Sequence, residues 1–329
     1  MNPQHVKAIP GKKTDMKDGE RIADLLQHGL LRGSFVPPIP VRELRDLTRS
    51  RASLAQERSR IANRIQKVLE DTNIKLGSVA SDVLGVSGRQ MLEAILAGEQ
   101  DPEKLANLAR GTLRKKIPEL RRALLGQVRE TQRFLLRSWL QMLDFIDSMI
   151  VQFDRQIHQQ GQPFQETVTA WSEIPGVSRL TAWTLVAEVG TNMDQFETAQ
   201  QLASWACVCP GVEESAGKRM SGKTRKGNLW LRRGLCEAAW GASRTKGSYY
   251  RSLFQRLSAR RGRKRALIAV AHSILVTAFY LCKRGCSYAD LGADYFDHRD
   301  KERTQRRLVK RLEKLGYTVT IQPSAPLRS

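Results

Sequence analysis

Leu47, Leu54, Ile61 and Val68 stand seven residues apart, flanked by Leu44 and Ile65 and surrounded by Arg45, Arg49, Arg51, Arg58, Arg60 and Arg64. A seven-residue recurrence returns to nearly the same side of an α-helix, so it predicts a long helix with one apolar stripe and a cationic remainder. A second stripe, Trp139, Leu143, Ile146, Ile150, Phe153 and Ile157, advances in steps of 4, 3, 4, 3 and 4, the pattern of a coiled-coil seam. Such stripes need cover. Two partners are available: each other, as an antiparallel pair within one chain, or a second copy, in a homo-oligomer joined through the coiled coil.

Pro37, Pro38 and Pro40 mark the entry to this helical middle and Gly161-Gln162-Pro163 its exit, because proline removes a backbone donor and biases its predecessor away from helix. The expected organisation is therefore a short first region, 1–38, a helical coiled-coil region, 39–160, a third domain, 161–298, and a charged tail, 299–329. The 41% of hydrophobic residues suffices for real cores and excludes wholesale disorder.

Charge narrows the partner. The chain has 55 Lys plus Arg against 33 Asp plus Glu, a formal net charge of +22, which predicts attraction to a polyanion such as DNA. From Lys218 to Arg265 sixteen basic residues face the single acid Glu237. Five cysteines without paired spacing argue against a disulfide framework or a zinc module and fit a reducing cytoplasm. The apolar run from Ala266 to Cys282 has His272 and Ser273 at its middle and basic residues at both ends, and reads as a buried core helix rather than a membrane span.

Four short motifs carry candidate chemistry. Ile174-Pro175-Gly176-Val177-Ser178 before an apolar helical stretch has the form of a helix-hairpin-helix turn, in which Gly176 permits the bend and the amides after Ser178 could face a phosphate; a plain turn between helices is the alternative. Gly217 to Thr224 matches the Walker A pattern literally. Gly227 and Asn228 interrupt the helix that must follow, however, and a basic phosphate-contacting loop fits better. Asp15 and Asp18 sit one turn apart at a helix start, where they could share a divalent cation or simply cap the helix. Ser215 lies in a glycine-containing basic loop whose cations could stabilise a developing alkoxide or phosphorane. The candidate nucleic-acid contacts are Gly176, Ser178, Lys218, Arg219, Lys223, Arg225, Lys226, Arg232, Arg260, Arg261, Arg263 and Lys264.

Several stretches taken in order resemble one family. They are Gly11-Lys12-Lys13-Thr14-Asp15-Met16-Lys17-Asp18, Leu25-Leu26-Gln27-His28-Gly29-Leu30, Ser34-Phe35-Val36-Pro37 and Ile174-Pro175-Gly176-Val177. With them go Leu202-Ala203-Ser204-Trp205, Cys209-Pro210-Gly211, Ser215, Lys226-Gly227-Asn228 and Leu231-Arg232. Together they resemble the bacterial DEDD-type insertion-sequence transposases, a family that includes RNA-guided bridge recombinases. The resemblance implies a mainly α chain: the remnant of a RuvC-like domain of RNase H fold, a helical coiled coil, and a C-terminal helical transposase domain with a nucleophilic serine. It equates Asp15 and Asp18 with the last two of four metal-binding acids and Ser215 with the nucleophile. The first two acids have no counterpart, which implies that the strand-rich part of the RuvC-like domain is absent from this chain. The implied cofactor is Mg2+ with two of its four ligands present. The implied partners are DNA and a guide RNA, without a membrane, in the cytoplasm at the nucleoid. The implied function is DNA transposition by phosphoryl transfer; the alternative is a catalytically dead remnant that only binds nucleic acid.

Overall fold

The computed structural model describes residues 15–30, 36–210, 213–215, 218–221, 224 and 227–322. Among them the chain is mainly helical, with one two-stranded antiparallel hairpin. It divides into two compact units, Leu44–Pro163 and Met1–Glu43 with Phe164–Ser329. Helix α1 is Asp15–Gln27, and α2 is the 33-residue helix Ile39–Asp71.

Within the first unit α2 runs antiparallel to α5, Glu130–Gln160, with α3, Val86–Leu96, and α4, Ile117–Ala123, between them in the chain. The register is fixed by side chains that descend α5 as they ascend α2. Arg51 pairs with Asp154 at 2.8 Å, Arg58 with Asp147 at 2.5 Å, and the Arg64 guanidinium lies 4.9 Å from the Trp139 ring centre. Ile61, Ile65, Val68 and Leu69 meet Leu136, Leu140, Leu143 and Ile146 in one buried core, which Met91, Leu92 and Ile95 of α3 extend. Of the two ways to cover the stripes, the fold uses the first: they cover each other. The half-exposed ion pairs contribute only about 0.2–1 kcal/mol each, so the apolar seam holds the pair while the charges select its register.

The second unit gathers around one helix. Besides α1, its elements are α6, Gln165–Ser172; α7, Arg179–Val189; α8, Ala199–Trp205; strands β1, Glu213–Ser215, and β2, Lys218–Ser221; α9, Leu229–Arg244; α10, Tyr249–Arg261; α11, Arg263–Arg284; α12, Tyr295–Arg299; and α13, Lys301–Glu313. By length and composition α11 could cross a membrane, yet it packs against α6, α8, α9 and α10 and buries Ala266, Val270, Ile274, Leu275, Ala278 and Phe279 among them. Trp171 of α6, fully buried, donates its indole N–H to the Ala278 carbonyl at 3.1 Å, and Tyr250 of α10 reaches Thr277 at 2.9 Å. These bonds across otherwise apolar contacts leave neither polar group unpaired.

Candidate nucleic-acid interface

The turn between α6 and α7 contains Gly176 at φ +84°. A Cβ at this position would overlap the Ala238 carbonyl and the Ala242 amide of α9, while one on Gly241 would lie 2.9 Å from the Gly176 Cα. The two glycines let turn and helix touch backbone to backbone. Gly176 thus faces α9, and the Ser178 Oγ accepts from the Thr181 amide at 3.1 Å, capping α7. Gly176→Ala combines a left-handed φ with a steric clash and is expected to cost about 2 kcal/mol or more. The urea unfolding midpoint checks this: it should fall, whereas a glycine kept open for a phosphate would leave stability nearly unchanged.

The hairpin that carries Ser215 has a firmly held base. Pro210 and Thr224 form an antiparallel bridge, and the register above it pairs Glu214 with Arg219 and Ser215 with Lys218. The Asn228 Oδ1 accepts from the amides of Trp230 and Leu231 at 3.0 and 3.2 Å, capping α9, while its Nδ2 donates to Glu188 Oε2 at 2.5 Å. Glu188, 1% exposed on α7, therefore anchors the start of α9. Arg232 donates to Thr224 Oγ1 at 2.8 Å and so braces the end of the hairpin segment. Neither Glu188 nor Asn228 was among the sequence candidates. Their signals are an acid alone in the apolar stretch Leu185-Val186-Ala187-Glu188-Val189, and an asparagine just before a helix.

The structure fixes the backbone positions of Ser215, Lys218 and Arg219 in the hairpin; their side chains, with Gly217, Lys223, Arg225 and Lys226, lie outside the described residues. Lys218–Ser221 is a strand where a Walker A motif requires a phosphate-cradling loop, so nucleotide binding of that kind does not fit. Asp15 and Asp18 belong to the first turn of α1, and their side chains also lie outside the described residues. Among the described residues no three His, Cys, Asp or Glu side chains gather as a metal site. Magnesium is commonly held by one or two carboxylates, with waters and substrate phosphate oxygens completing its near-octahedral shell, and two carboxylates one helical turn apart suit that chemistry.

A run of exposed cations lies where α10 meets α11. Arg260, Arg261, Arg263, Lys264 and Arg265 are all exposed around Gly262 at φ +80°. Arg260 and Arg261 suit the negative end of α10. Arg263, Lys264 and Arg265, however, crowd the positive end of α11, whose first turn has no acid and whose cap, Gly262, supplies no side chain. Each misplaced cation costs roughly 0.3–1 kcal/mol against the helix dipole, a cost that a bound anion removes. A second basic surface, missed at the sequence level, lies in the other unit. Arg110, Arg114, Lys115, Lys116, Arg121 and Arg122 are exposed there, with Arg121 held by Glu103 at 2.6 Å. The sequence signal was six cations against Glu119 alone between residues 110 and 122.

Other nucleophiles are poorly placed. Burial pushes the thiols of Cys236 and Cys282 upward and the phenols of Tyr250 and Tyr288 well above their usual range, with Asp290 adding to the effect at Tyr288. None is readily ionised near neutral pH.

Two segments of the chain match models of known families. Residues 169–255 match the model described as Transposase IS116/IS110/IS902 family, and residues 1–74 match a second model, of DEDD type, described as Transposase. No curated protein matches the chain.

Proposed function

On these two matches the chain is an insertion-sequence transposase, an enzyme that acts on DNA, and from that premise we propose that it cuts and rejoins DNA by phosphoryl transfer with Ser215 as the attacking group. The observation that carries the proposal is the placement of Ser215 beside Lys218 at the end of a hairpin whose base is held by the Pro210–Thr224 bridge and by Arg232 on Thr224. The Ser215 hydroxyl adds to a backbone phosphorus, the bond to one bridging oxygen breaks, and the serine proton ends on the departing hydroxyl. The phosphoserine diester keeps the broken bond's energy, so a second DNA hydroxyl can reverse the step without ATP.

The basic junction at Arg260, Arg261, Arg263 and Lys264 holds the phosphate backbone near this hairpin's domain, supported by its exposure and by the uncapped start of α11. DEDD-type transposases use a divalent metal, and Asp15 and Asp18 are the carboxylates this chain offers, to Mg2+ by resemblance. No step above depends on that ion. A guide RNA is the partner that the resemblance adds to DNA, and the enzyme works where DNA is, at the nucleoid. Self-association through the coiled coil is supported by the outer side of α5, where Phe134 and Phe145 are 65% and 64% exposed opposite the buried seam.

Incubating the purified chain with duplex DNA carrying the element's end, then denaturing it, tests the proposal. A protein–DNA species that survives denaturation is expected. Tight, salt-dependent binding with no such species, with or without added magnesium, would instead favour the binding-only reading.

A further inference from the structure

The geometry points to the cleft between α10 and α13 as a clamp for a nucleic-acid phosphodiester, gripped by Arg260, Arg303 and Arg307. The cleft has a volume of about 690 Å³ and is lined from α10 by Arg256 and Arg260 and from α13 by Arg303 and Arg307. Each pair is spaced i, i+4, so two rows of like charge face one cavity, an arrangement that destabilises each helix slightly. The acids present answer only part of this charge. Asp300 is taken by Arg256 at 3.3 Å and by Arg299 at 3.5 Å, while Asp297 accepts from the Thr304 hydroxyl at 3.4 Å. Among the described residues, three of these guanidiniums, Arg260, Arg303 and Arg307, have no carboxylate of their own.

None of the residues of α13 is fully buried: Leu308 and Leu312 are 51% and 43% exposed, and Thr304 and Val309 are half-buried. A helix that contributes no fully buried residue to a core but brings two arginines to a cleft is explained by what the cleft holds. Guanidinium forks match the paired oxygens of a phosphodiester, and several around one cavity exceed what a carboxylate needs. Arg260 is also the first residue of the exposed run that continues through Arg265, so a backbone crossing the junction of α10 and α11 leads directly into the cleft.

This clamp rests on the nucleic-acid reading above, and its test separates the two. The full chain and its R303Q/R307Q variant are titrated with a short duplex DNA and with a single-stranded RNA of equal length over a range of salt. Loss of two phosphate contacts should lower the log–log salt slope by about 1.8 on duplex or about 1.4 on single strand, and lower duplex affinity roughly 60-fold at 0.1 M salt. R303K/R307K should keep most of the slope. The probe that shows the drop identifies the source of the phosphodiester. Because α13 has no fully buried residue, the melting temperature should stay unchanged; a fall of several degrees would make α13 a structural brace and overturn the clamp. Unchanged slopes on both probes, with the parent chain binding well, would also overturn it while leaving the transposase reading intact. Absence of salt-dependent binding by the parent chain would sink that reading itself.

Discussion

Replacing Arg260, Arg261, Arg263 and Lys264 together by Gln should reduce duplex DNA affinity about four-thousandfold at 0.1 M salt and flatten its salt dependence. Each cation that neutralises a phosphate releases condensed counterions and adds about 0.9 to the log–log slope, so four contacts account for about 3.6. The loss should be nearly independent of DNA sequence, because phosphate contacts position the duplex without reading it. Folding should not suffer. All four side chains are exposed, and the loss of Arg260 and Arg261 from the negative end of α10 offsets the removal of Arg263 and Lys264 from the positive end of α11, so stability should stay nearly unchanged. Fluorescence anisotropy across a salt series measures the slope, and a melting curve measures the stability. An unchanged slope in a folded variant would move the DNA surface elsewhere, with the Arg110 to Arg122 surface next to be tested.

What the sequence disclosed, and what it hid, follow from the range of the interactions. The seams of α2 and α5 were legible because a helical period is local, and the core at Ile61, Ile65, Leu143 and Ile146 lies where the spacing put it. That the stripes cover each other was not legible, since the same apolar spacing suits a partner in the same chain or in another. Pairing of Arg51 with Asp154 and Arg58 with Asp147 decides it, across separations of 103 and 89 residues. The α11 run was readable as a core helix because polar residues interrupt it and basic ones end it. Gly176 shows the opposite case. A proline–glycine turn before a helix reads as a phosphate site or as a plain turn between helices, and no local pattern announces that its glycine also permits a close approach to Gly241. Arg232 belonged to a run of cations in the sequence, whereas in the fold it braces Thr224. The cleft between α10 and α13 joins residues more than forty positions apart, and only the folded chain brings them to one cavity.

Ser215→Ala should abolish the covalent protein–DNA species, a loss of roughly 10³-fold or more in strand exchange, while DNA affinity stays within a factor of two. Only the attacking oxygen is removed, and the cations of the hairpin and of the α10–α11 junction remain. Ser221→Ala is the matched control: it lies on β2 of the same hairpin, paired in register with Glu213, and should keep the adduct. Lys223→Ala should weaken binding without creating any dependence on ATP, in contrast to a working Walker A motif.

The most direct measurement is to digest the trapped protein–DNA species and sequence its peptides by mass spectrometry. The account predicts a nucleotide phosphate on the Ser215 oxygen, and no modified peptide in Ser215→Ala. A nucleotide on any other residue, or an adduct that persists in Ser215→Ala, would contradict it.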